Sequence, residues 1–279
     1  MTGRRRYADP CGVARALDAV GERWALLVVR ELLLGPKRFA ALHRGLAGMS
    51  QNVLSQRLRD LEGSGIVRHR ELGPPASARV YELTPRGRDL EPVLFALARW
   101  GGRSPLDPSG TAELSVDAMM FALKTTFEPA AASGLRARLA LRFDHDLFVT
   151  EIESGQFRIT RADAALQADA ALRADAPLQA PLRADAAPQA DAAPQADVPL
   201  RADAVLQAEA PLQADVPLRV DVPLRADAVL TTDVATFRSL VFGGRPLTEP
   251  LSSGAIRLEG DADLATRFLA CFPRPSIPS

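Results

Sequence analysis

The 279-residue sequence has few of the residue types that build metal sites, disulfides and catalytic centres. It contains two cysteines and three histidines. Cys11 and Cys271 lie near opposite ends of the chain, so their spacing indicates neither a disulfide framework nor a metal site. His43, His69 and His145 have no partner at metal-ligand spacing, and the sequence has no nucleophile elbow and no phosphate-binding glycine loop. We therefore expect no catalytic residue, no metal and no cofactor, and a chain that is not an enzyme.

Aromatic residues and long apolar runs are also scarce. Aromatics make up 5% of the residues although 47% are hydrophobic, so alanine supplies much of the apolar content. No apolar run is long enough to span a bilayer, and the arginines at residues 4–6 are not followed by a signal-peptide core. The sequence therefore predicts a cytoplasmic protein with no membrane insertion.

The whole chain has no excess of positive or negative charge, but its first third has an excess of positive charge. Lys plus Arg and Asp plus Glu both number 34, which gives zero net charge. Residues 1–103, however, contain 18 basic against 10 acidic side chains, and the rest of the chain contains 16 against 24. A basic first third indicates a segment that contacts a polyanion. On charge alone, chance scatter in an arginine-rich chain is the alternative.

Composition divides the chain into an amino-terminal domain, a linker and an interrupted second domain, which together predict an α+β protein. Residues 1–103 show helical periodicity, and residues 104–112 are a Ser-, Pro- and Gly-containing linker. Residues 113–160 and 231–273 are the two parts of the second domain. Between them, residues 161–230 repeat about every six residues, in units such as RADAAL and QADVPL.

The repeats contain eight prolines, no glycine and no aromatic residue. One leucine per unit buries too little surface to offset the entropy of ordering, which favours a disordered insert. A hexapeptide β-solenoid is the alternative. The insert has the pattern of one short strand, residues 225–230, copied in tandem.

Residues 1–103 have the element order of a winged helix-turn-helix domain. The predicted helices cover residues 11–20, 22–34, 39–46 and 50–62, the strands cover residues 66–71 and 79–83, and a closing helix follows Thr84. A small α+β domain with a polar surface is the alternative interpretation of the periodicity.

The fourth predicted helix has two chemically different faces. A stripe of leucines indicates its buried side. The opposite side carries Asn52, Gln56 and Arg59, whose side chains can pair with adenine or guanine edges in double-stranded DNA. Arg57 on one flank and two arginines of the predicted hairpin are suited to phosphates. The candidate DNA-binding set is Asn52, Ser55, Gln56, Arg57, Arg59, Arg70 and Arg79.

Three motifs follow one another within about residues 7–102: GERWALLVVRELLLGPKRF, LSQRLRDLEGSGIVRHR and RVYELTPRGRDLEPVLFALARWG. Together they resemble the HxlR-type transcriptional regulators, which belong to the winged-helix group that includes MarR-type proteins. The resemblance implies a homodimer that binds inverted half-sites, with the fourth helix as the recognition helix and the first and closing helices as the dimer contact. The wing tip between Gly73 and Ala78 has no basic residue, which argues against minor-groove contacts by the tip.

Cys11 matches a cysteine near the start of many members of this family, some of which respond to oxidants or aldehydes. A sensor thiol needs a favoured and accessible thiolate. The arginines at residues 4–6 and the start of the first helix would favour it. A buried, inert thiol is the alternative, so redox sensing by Cys11 is a hypothesis.

The second domain is predicted to combine helices with a sheet that has one solvated face. Without the repeats, the stretch ADAVLTTDVATFRSLVFGGRPLTEPLSSGAIRLEGDADLATRFLACF resembles the end of a sterol-carrier-protein-type domain. That resemblance implies an apolar cavity for a hydrophobic small ligand. Its candidate lining residues are Met119, Met120, Phe237, Phe242 and Phe268, although such residues also suit an ordinary core.

Two classes of function follow from the sequence. The first is a homodimeric DNA-binding regulator that is modulated by a hydrophobic ligand or by thiol chemistry. The second is a carrier module for lipids or other hydrophobic ligands, in which the amino-terminal domain serves assembly. Salt-sensitive binding to duplex DNA discriminates between them.

Overall fold

The computed structural model describes residues 7–72, 78–103, 114–162 and 226–273. The amino-terminal unit contains α1 (Gly12–Val20), α2 (Ala25–Leu32), α3 (Phe39–Gly45), α4 (Gln51–Gly63), β1 (Val67–Leu72), β2 (Ala78–Leu83), α5 (Pro85–Arg88) and α6 (Glu91–Gly101). The carboxy-terminal unit contains α7 (Val116–Thr126), β3 (Ala137–Phe143), β4 (Asp146–Glu153), β5 (Gln156–Arg161), β6 (Ala228–Thr231), α8 (Val234–Val241), α9 (Thr248–Ser252), β7 (Arg257–Gly260) and α10 (Ala262–Leu269). The predicted α+β class is confirmed.

Local side-chain chemistry sets where the first helices begin. The Ser50 hydroxyl accepts a hydrogen bond from the backbone N–H of Val53, so α4 begins directly after Ser50, as predicted. The start of α2 was predicted wrongly, at residue 22. Trp24 has a φ of +76°, and a residue in the left-handed region cannot continue a right-handed helix, so α2 begins at Ala25.

The closing helix is interrupted, which corrects the prediction of one continuous helix. α5 ends at Arg88 and α6 begins at Glu91. Pro92 lies in the first turn of α6, where proline is well tolerated. Because Pro92 has no N–H to donate to the carbonyl group of Arg88, one unbroken helix cannot pass through this point.

The leucine stripe of α4 is buried, as the sequence predicts. Leu54, Leu58 and Leu61 are at most 1% exposed and pack in one cluster with Val28 and Val29 of α2. Burying each such side chain contributes about 1.5–3 kcal/mol. This packing fixes the rotation of α4 about its axis and turns the opposite face of the helix to solvent.

The wing is the antiparallel hairpin of β1 and β2, in which Val67 pairs with Leu83. The segment before α3 extends the hairpin by one bridge. The N–H of Lys37 donates to the carbonyl group of Tyr81 at 2.9 Å, and the N–H of Tyr81 donates back to Lys37 at 2.8 Å. The wing tip at residues 73–77, which has no basic side chain, lies outside the described residues.

The carboxy-terminal unit is built on a five-stranded sheet in the order β5-β4-β3-β6-β7. β6 runs parallel to β3, and the other neighbouring pairs are antiparallel. The core contains buried side chains from α7, α8 and α10, including Met119, Phe237 and Phe268. Asp233 and Asp261 cap α8 and α10. The short helix α9 was not predicted.

Both ends of the predicted insert belong to the sheet. Arg161 is the last residue of β5, where it lies opposite Phe148 of β4. On the other side, Ala228–Thr231 forms β6, so residues 228–230 are strand and not insert. The rest of the repeat region lies outside the described residues, and with it the choice between disorder and a β-solenoid.

The helix α7 packs against both units. Phe121 of α7 belongs to the amino-terminal core, and its ring stacks on that of Phe95 of α6 at 5.1 Å. Met119 and Met120 of the same helix are buried in the carboxy-terminal core. Lys124 of α7 also forms an ion pair with Glu91 of α6. The two units are therefore joined through a shared helix.

Each of the helices α1 and α6 carries a stripe of apolar side chains that is only partly buried in this chain. Leu94 is the buried member of the α6 stripe, whereas Trp100 is 71% exposed. The other exposed members of the two stripes are Val13, Leu17, Val93 and Leu97. These exposed side chains lie on the two helices that the family resemblance implies as the dimer contact, and that contact stays a prediction.

Two further structural features bear on the class of protein. Within these ranges, no helix combines the length and the apolar character that crossing a membrane requires. The same ranges hold no group of three or more His, Cys, Asp or Glu side chains that could bind a metal ion.

Candidate nucleic-acid interface

The solvent-facing side of α4 carries the predicted recognition residues. Asn52, Gln56 and Arg59 are exposed, and Ser55 is half-buried at the margin of this face. Val53, next to Asn52, is also exposed and adds an apolar group to the same end of the helix. The structure thus brings four of the seven candidate DNA-binding residues together on one helix face.

Two polar contacts order the side chains of this face. The guanidinium of Arg59 donates to Gln56 Oε1 at 2.8 Å, and Gln56 Nε2 donates to Asp60 Oδ1 at 2.9 Å. An arginine only donates and a carboxylate only accepts, so the Gln56 amide has one consistent orientation. The two bonds hold Gln56 and Arg59 side by side on the solvent-facing side of α4.

Arg57 is positioned differently from its neighbours. Its side chain is 11% exposed and forms ion pairs with Asp60 at 3.0 Å and with Glu22 at 3.6 Å. Glu22 lies between α1 and α2, so its contact with Arg57 connects α4 to that segment, whereas the contact with Asp60 lies within α4. The phosphate contact predicted for Arg57 stays a prediction, and a DNA phosphate would have to compete with two carboxylates.

The arginines of the wing are paired with carboxylates. Glu82 of β2 is buried and binds Arg68 at 2.6 Å and Arg70 at 3.2 Å, both on β1. Arg79 pairs with Glu71 at 3.1 Å, and its side chain remains 80% exposed. Of the two predicted wing residues, Arg79 is therefore the more available to a phosphate.

Glu82 is a charged residue of this interface that the sequence analysis missed. Arg68 lies directly opposite Glu82 in the hairpin, and Arg70 is two residues further along the same face. Since side chains at i and i+2 of a strand share a face, the hairpin register could have revealed this cluster. The pairing holds Arg68 and Arg70 in defined positions and reduces the net positive charge of the wing.

Cys11 is exposed, so the alternative prediction of a buried thiol is wrong. Its sulfur accepts a hydrogen bond from the N–H of Ala14 at 3.3 Å and caps α1. A carboxylate oxygen of Asp9 lies 3.4 Å from the sulfur. The arginines at residues 4–6, which were expected to favour a thiolate, lie outside the described residues. Redox sensing by Cys11 stays a prediction.

The five candidate ligand-lining residues lie in the carboxy-terminal core. Met119, Met120, Phe237 and Phe268 are completely buried, and Phe242 is half-buried. The rings of Phe237 and Phe268 pack edge-on against those of Phe143 and Phe272. A cleft of about 720 Å³ lies elsewhere, between residues 129–136 and the turn at residues 153–155. A hydrophobic ligand among the five side chains stays a prediction.

Comparisons with known proteins agree with this geometry. A family profile described as HxlR-like helix-turn-helix matches residues 19–106. An HTH-type transcriptional regulator of Synechocystis is 40% identical over 102 residues, which cover 34% of this chain and 75% of the relative. The chain belongs to the HxlR-like helix-turn-helix family.

A second relative supports the same family. The HTH-type transcriptional regulator YvaP of Bacillus subtilis is 38% identical over 96 residues, which cover 34% of this chain and 87% of YvaP. Among solved structures, the redox regulator HypR in its oxidized form is 32% identical, with 35% of this chain and 100% of HypR covered and a TM-score of 0.32. The profile and the two relatives confirm the predicted family, and the helices and hairpin of residues 12–101 have the predicted winged helix-turn-helix order. Relatives of this class are regulators and not enzymes, as the sequence predicts.

Proposed function

We propose that this protein is a transcriptional regulator that binds a specific operator in double-stranded DNA through α4 and the wing. The observation that carries the proposal is the exposed row of Asn52, Gln56 and Arg59 on the recognition helix of an HxlR-like domain. In helix-turn-helix proteins this helix enters the major groove, where amide and guanidinium groups bind base edges. The α3 helix then crosses the DNA backbone.

The exposed wing arginine supplies the sequence-independent part of binding. Arg79 can exchange the Glu71 carboxylate for a phosphate, because exposed ion pairs of this kind contribute little to stability. Contacts to phosphates fix the register of the protein on DNA, and they weaken as salt rises because bound counterions are released. Specificity and salt dependence are thereby assigned to different residues.

The assignment is tested by measuring the affinity of variants for an operator selected from the genomic DNA of the source organism. Arg59→Ala is expected to lower the affinity for the selected operator by about 10–100-fold, because one base contact of this kind contributes about 1–3 kcal/mol. Binding to unrelated duplex DNA should change much less. Arg79→Ala should weaken binding to both DNAs and reduce the slope of log affinity against log salt by about 1.

Arg158→Ala is the matched control, since Arg158 is an exposed arginine of the carboxy-terminal sheet. It should leave both affinities and the salt slope at their wild-type values. If the wild-type protein binds no duplex DNA at low salt, the proposal is wrong. Equal losses in Arg59→Ala and Arg158→Ala would also contradict it.

We further propose that the regulator acts as a homodimer whose contact is formed by α1 and α6. These helices present Val13, Leu17, Val93, Leu97 and Trp100 to solvent in the single chain. Clustered large apolar side chains on a surface mark a protein contact. Two copies would place two α4 helices on one operator, as inverted half-sites require.

The dimer is tested by light scattering after size-exclusion chromatography. Trp100→Glu is expected to convert the dimer to a monomer and to weaken operator binding, because the charge would be buried without a partner in the contact. Leu114→Glu, a similar change at an exposed leucine outside α1 and α6, should remain dimeric. A monomeric wild-type protein, or a dimer that Trp100→Glu leaves intact, would refute the proposed contact.

A further inference from the structure

A buried cluster of charged side chains connects the two units of the protein. The ammonium of Lys37 lies 2.8 Å from Glu31 Oε2 and 2.5 Å from Asp117 Oδ2. Glu31 is on α2 and Lys37 precedes α3, whereas Asp117 is in the first turn of α7. All three side chains are buried, with Glu31 completely so. The cluster therefore lies at the contact between the DNA-binding unit and α7.

Further ions extend the cluster into the carboxy-terminal sheet. Arg161, at the end of β5, lies 2.5 Å from the second carboxylate oxygen of Asp117 and also pairs with Asp146. Burial alone would lower the pKa of Arg161, but the charges and hydrogen bonds of Asp117 and Asp146 outweigh it and raise the pKa above its ordinary value. With Arg30 bound to Glu31, three cations meet three carboxylates. Buried charged groups in proteins are found paired in this way.

The cluster also fixes the ends of two helices. The Ser115 hydroxyl donates to Glu31 Oε1 at 2.6 Å while it caps α7 by accepting from the N–H of Ala118. Gly45, at the end of α3, comes so near that a Cβ atom there would lie 2.4 Å from Glu31 Oε2. Glu31 therefore contacts α7 and the helix that precedes the recognition helix.

Lys37 is the residue at which this cluster meets the wing. Its side chain is bound by Asp117 of α7, and its backbone forms both hydrogen bonds of the bridge to Tyr81 of β2. The ring of Tyr81 in turn contacts that of His69 of β1, with centroids 4.1 Å apart. One residue, Lys37, therefore contacts both the buried cluster, through its side chain, and the wing, through its backbone.

We infer that the carboxy-terminal unit sets the position of the wing through Asp117 and Lys37, so that Asp117 is a positioning residue for DNA binding. This inference rests on the proposed function. The Lys37 ammonium and the Asp117 carboxylate must stay within hydrogen-bond distance of each other, since an unpaired charge in the interior is strongly unfavourable. Loss of Asp117 removes one of the two carboxylates that hold the Lys37 ammonium. Lys37 would then move toward Glu31 or toward water and carry the bridge to Tyr81 with it.

The test compares two contacts between the same pair of units. Asp117→Asn alters the contact that reaches the wing, and Glu91→Gln alters the half-buried Lys124–Glu91 ion pair between α6 and α7, which is not connected to the wing. The full-length variants are compared at a temperature well below the melting transition of the less stable one. The measurements are hydrogen exchange of the β2 amides by mass spectrometry, and affinity for the selected operator at several salt concentrations.

In Asp117→Asn we expect about tenfold faster exchange of the Tyr81 amide and about tenfold weaker operator binding. The salt slope should not change, because no phosphate contact is lost. Glu91→Gln should keep the wild-type exchange and affinity. A variant that only loosens the contact between the units would lower the melting temperature and leave β2 exchange and affinity unchanged.

The inference is overturned if Asp117→Asn keeps the wild-type β2 exchange rate and operator affinity. It is also overturned if Asp117→Asn and Glu91→Gln change these two quantities equally. If Asp117→Asn does not fold, Asp117→Glu takes its place, because it keeps the charge and moves the carboxylate by one methylene. Its expected changes have the same sign. If the wild-type protein binds no DNA, the proposed function fails by itself, and the β2 exchange comparison still decides whether Asp117 positions the wing.

Discussion

Replacing Glu31 with glutamine is expected to lower the free energy of unfolding by about 3–5 kcal/mol, the cost of breaking a buried ion pair from one side. Glu31 has no exposed side-chain surface, and its two oxygens accept from Arg30, Lys37 and Ser115. An amide has one oxygen and would turn an N–H toward one of these donors. The loss is measured by urea unfolding monitored by circular dichroism.

The matched control for this variant is Glu249→Gln. Glu249 forms an exposed ion pair with Arg245 four residues earlier along the chain, and the hydrogen bond and charge of Arg245 lower the pKa of Glu249. Because water solvates both partners, the unfolding midpoint should stay at the wild-type value. A Glu31→Gln protein as stable as the control would show that the buried cluster contributes little to holding the fold together.

Replacing Phe268 with alanine is expected to lower the free energy of unfolding by about 3–5 kcal/mol, because a completely buried aromatic side chain leaves a cavity behind. The ring of Phe268 is packed between those of Phe157 and Phe272, at centroid distances of 6.0 and 5.1 Å. A side chain that lined an open ligand cavity would be partly solvated already, and its truncation would cost less. Urea unfolding therefore also decides whether this position is core or cavity wall.

Phe157→Ala provides the comparison within the same aromatic cluster. Phe157 lies on the edge strand β5 and is only half-buried, so its truncation should cost clearly less than that of Phe268. If Phe268→Ala costs under about 1 kcal/mol and the purified protein carries a bound hydrophobic molecule, the core interpretation is wrong and the predicted ligand site gains support.

Local sequence patterns predicted the helix α4 well. The leucine spacing identified the buried side of α4, and Ser50 identified its start, because both signals depend on residues within one or two turns. Asn52, Gln56 and Arg59 follow from the same spacing. The hairpin of the wing was located with errors of one residue at its boundaries, as the alternation of its strands and the intervening prolines allow.

The contact between the two units could not be predicted from these patterns. Glu31 and Lys37 are charged residues in an amphipathic segment, where charge ordinarily indicates solvent. Their partner Asp117 follows Lys37 by 80 positions, and no local periodicity reports a pairing over that separation. For the same reason, periodicity marks the apolar stripe of α6 but does not show which of its members are buried: Leu94 is buried, whereas Trp100 faces solvent in the single chain.

The shared helix α7 has a consequence for how this architecture can be divided. Similarity to the family ends at residue 106, and a linker was predicted at residues 104–112, so this is the obvious place to separate a DNA-binding module. A cut there would uncover the Phe95 ring and deprive the buried Lys37 of Asp117. The end of the family match and the end of the contacts that bury Phe95 and Lys37 therefore differ in this chain: the family match stops before α7, whereas the packing of the amino-terminal unit includes α7.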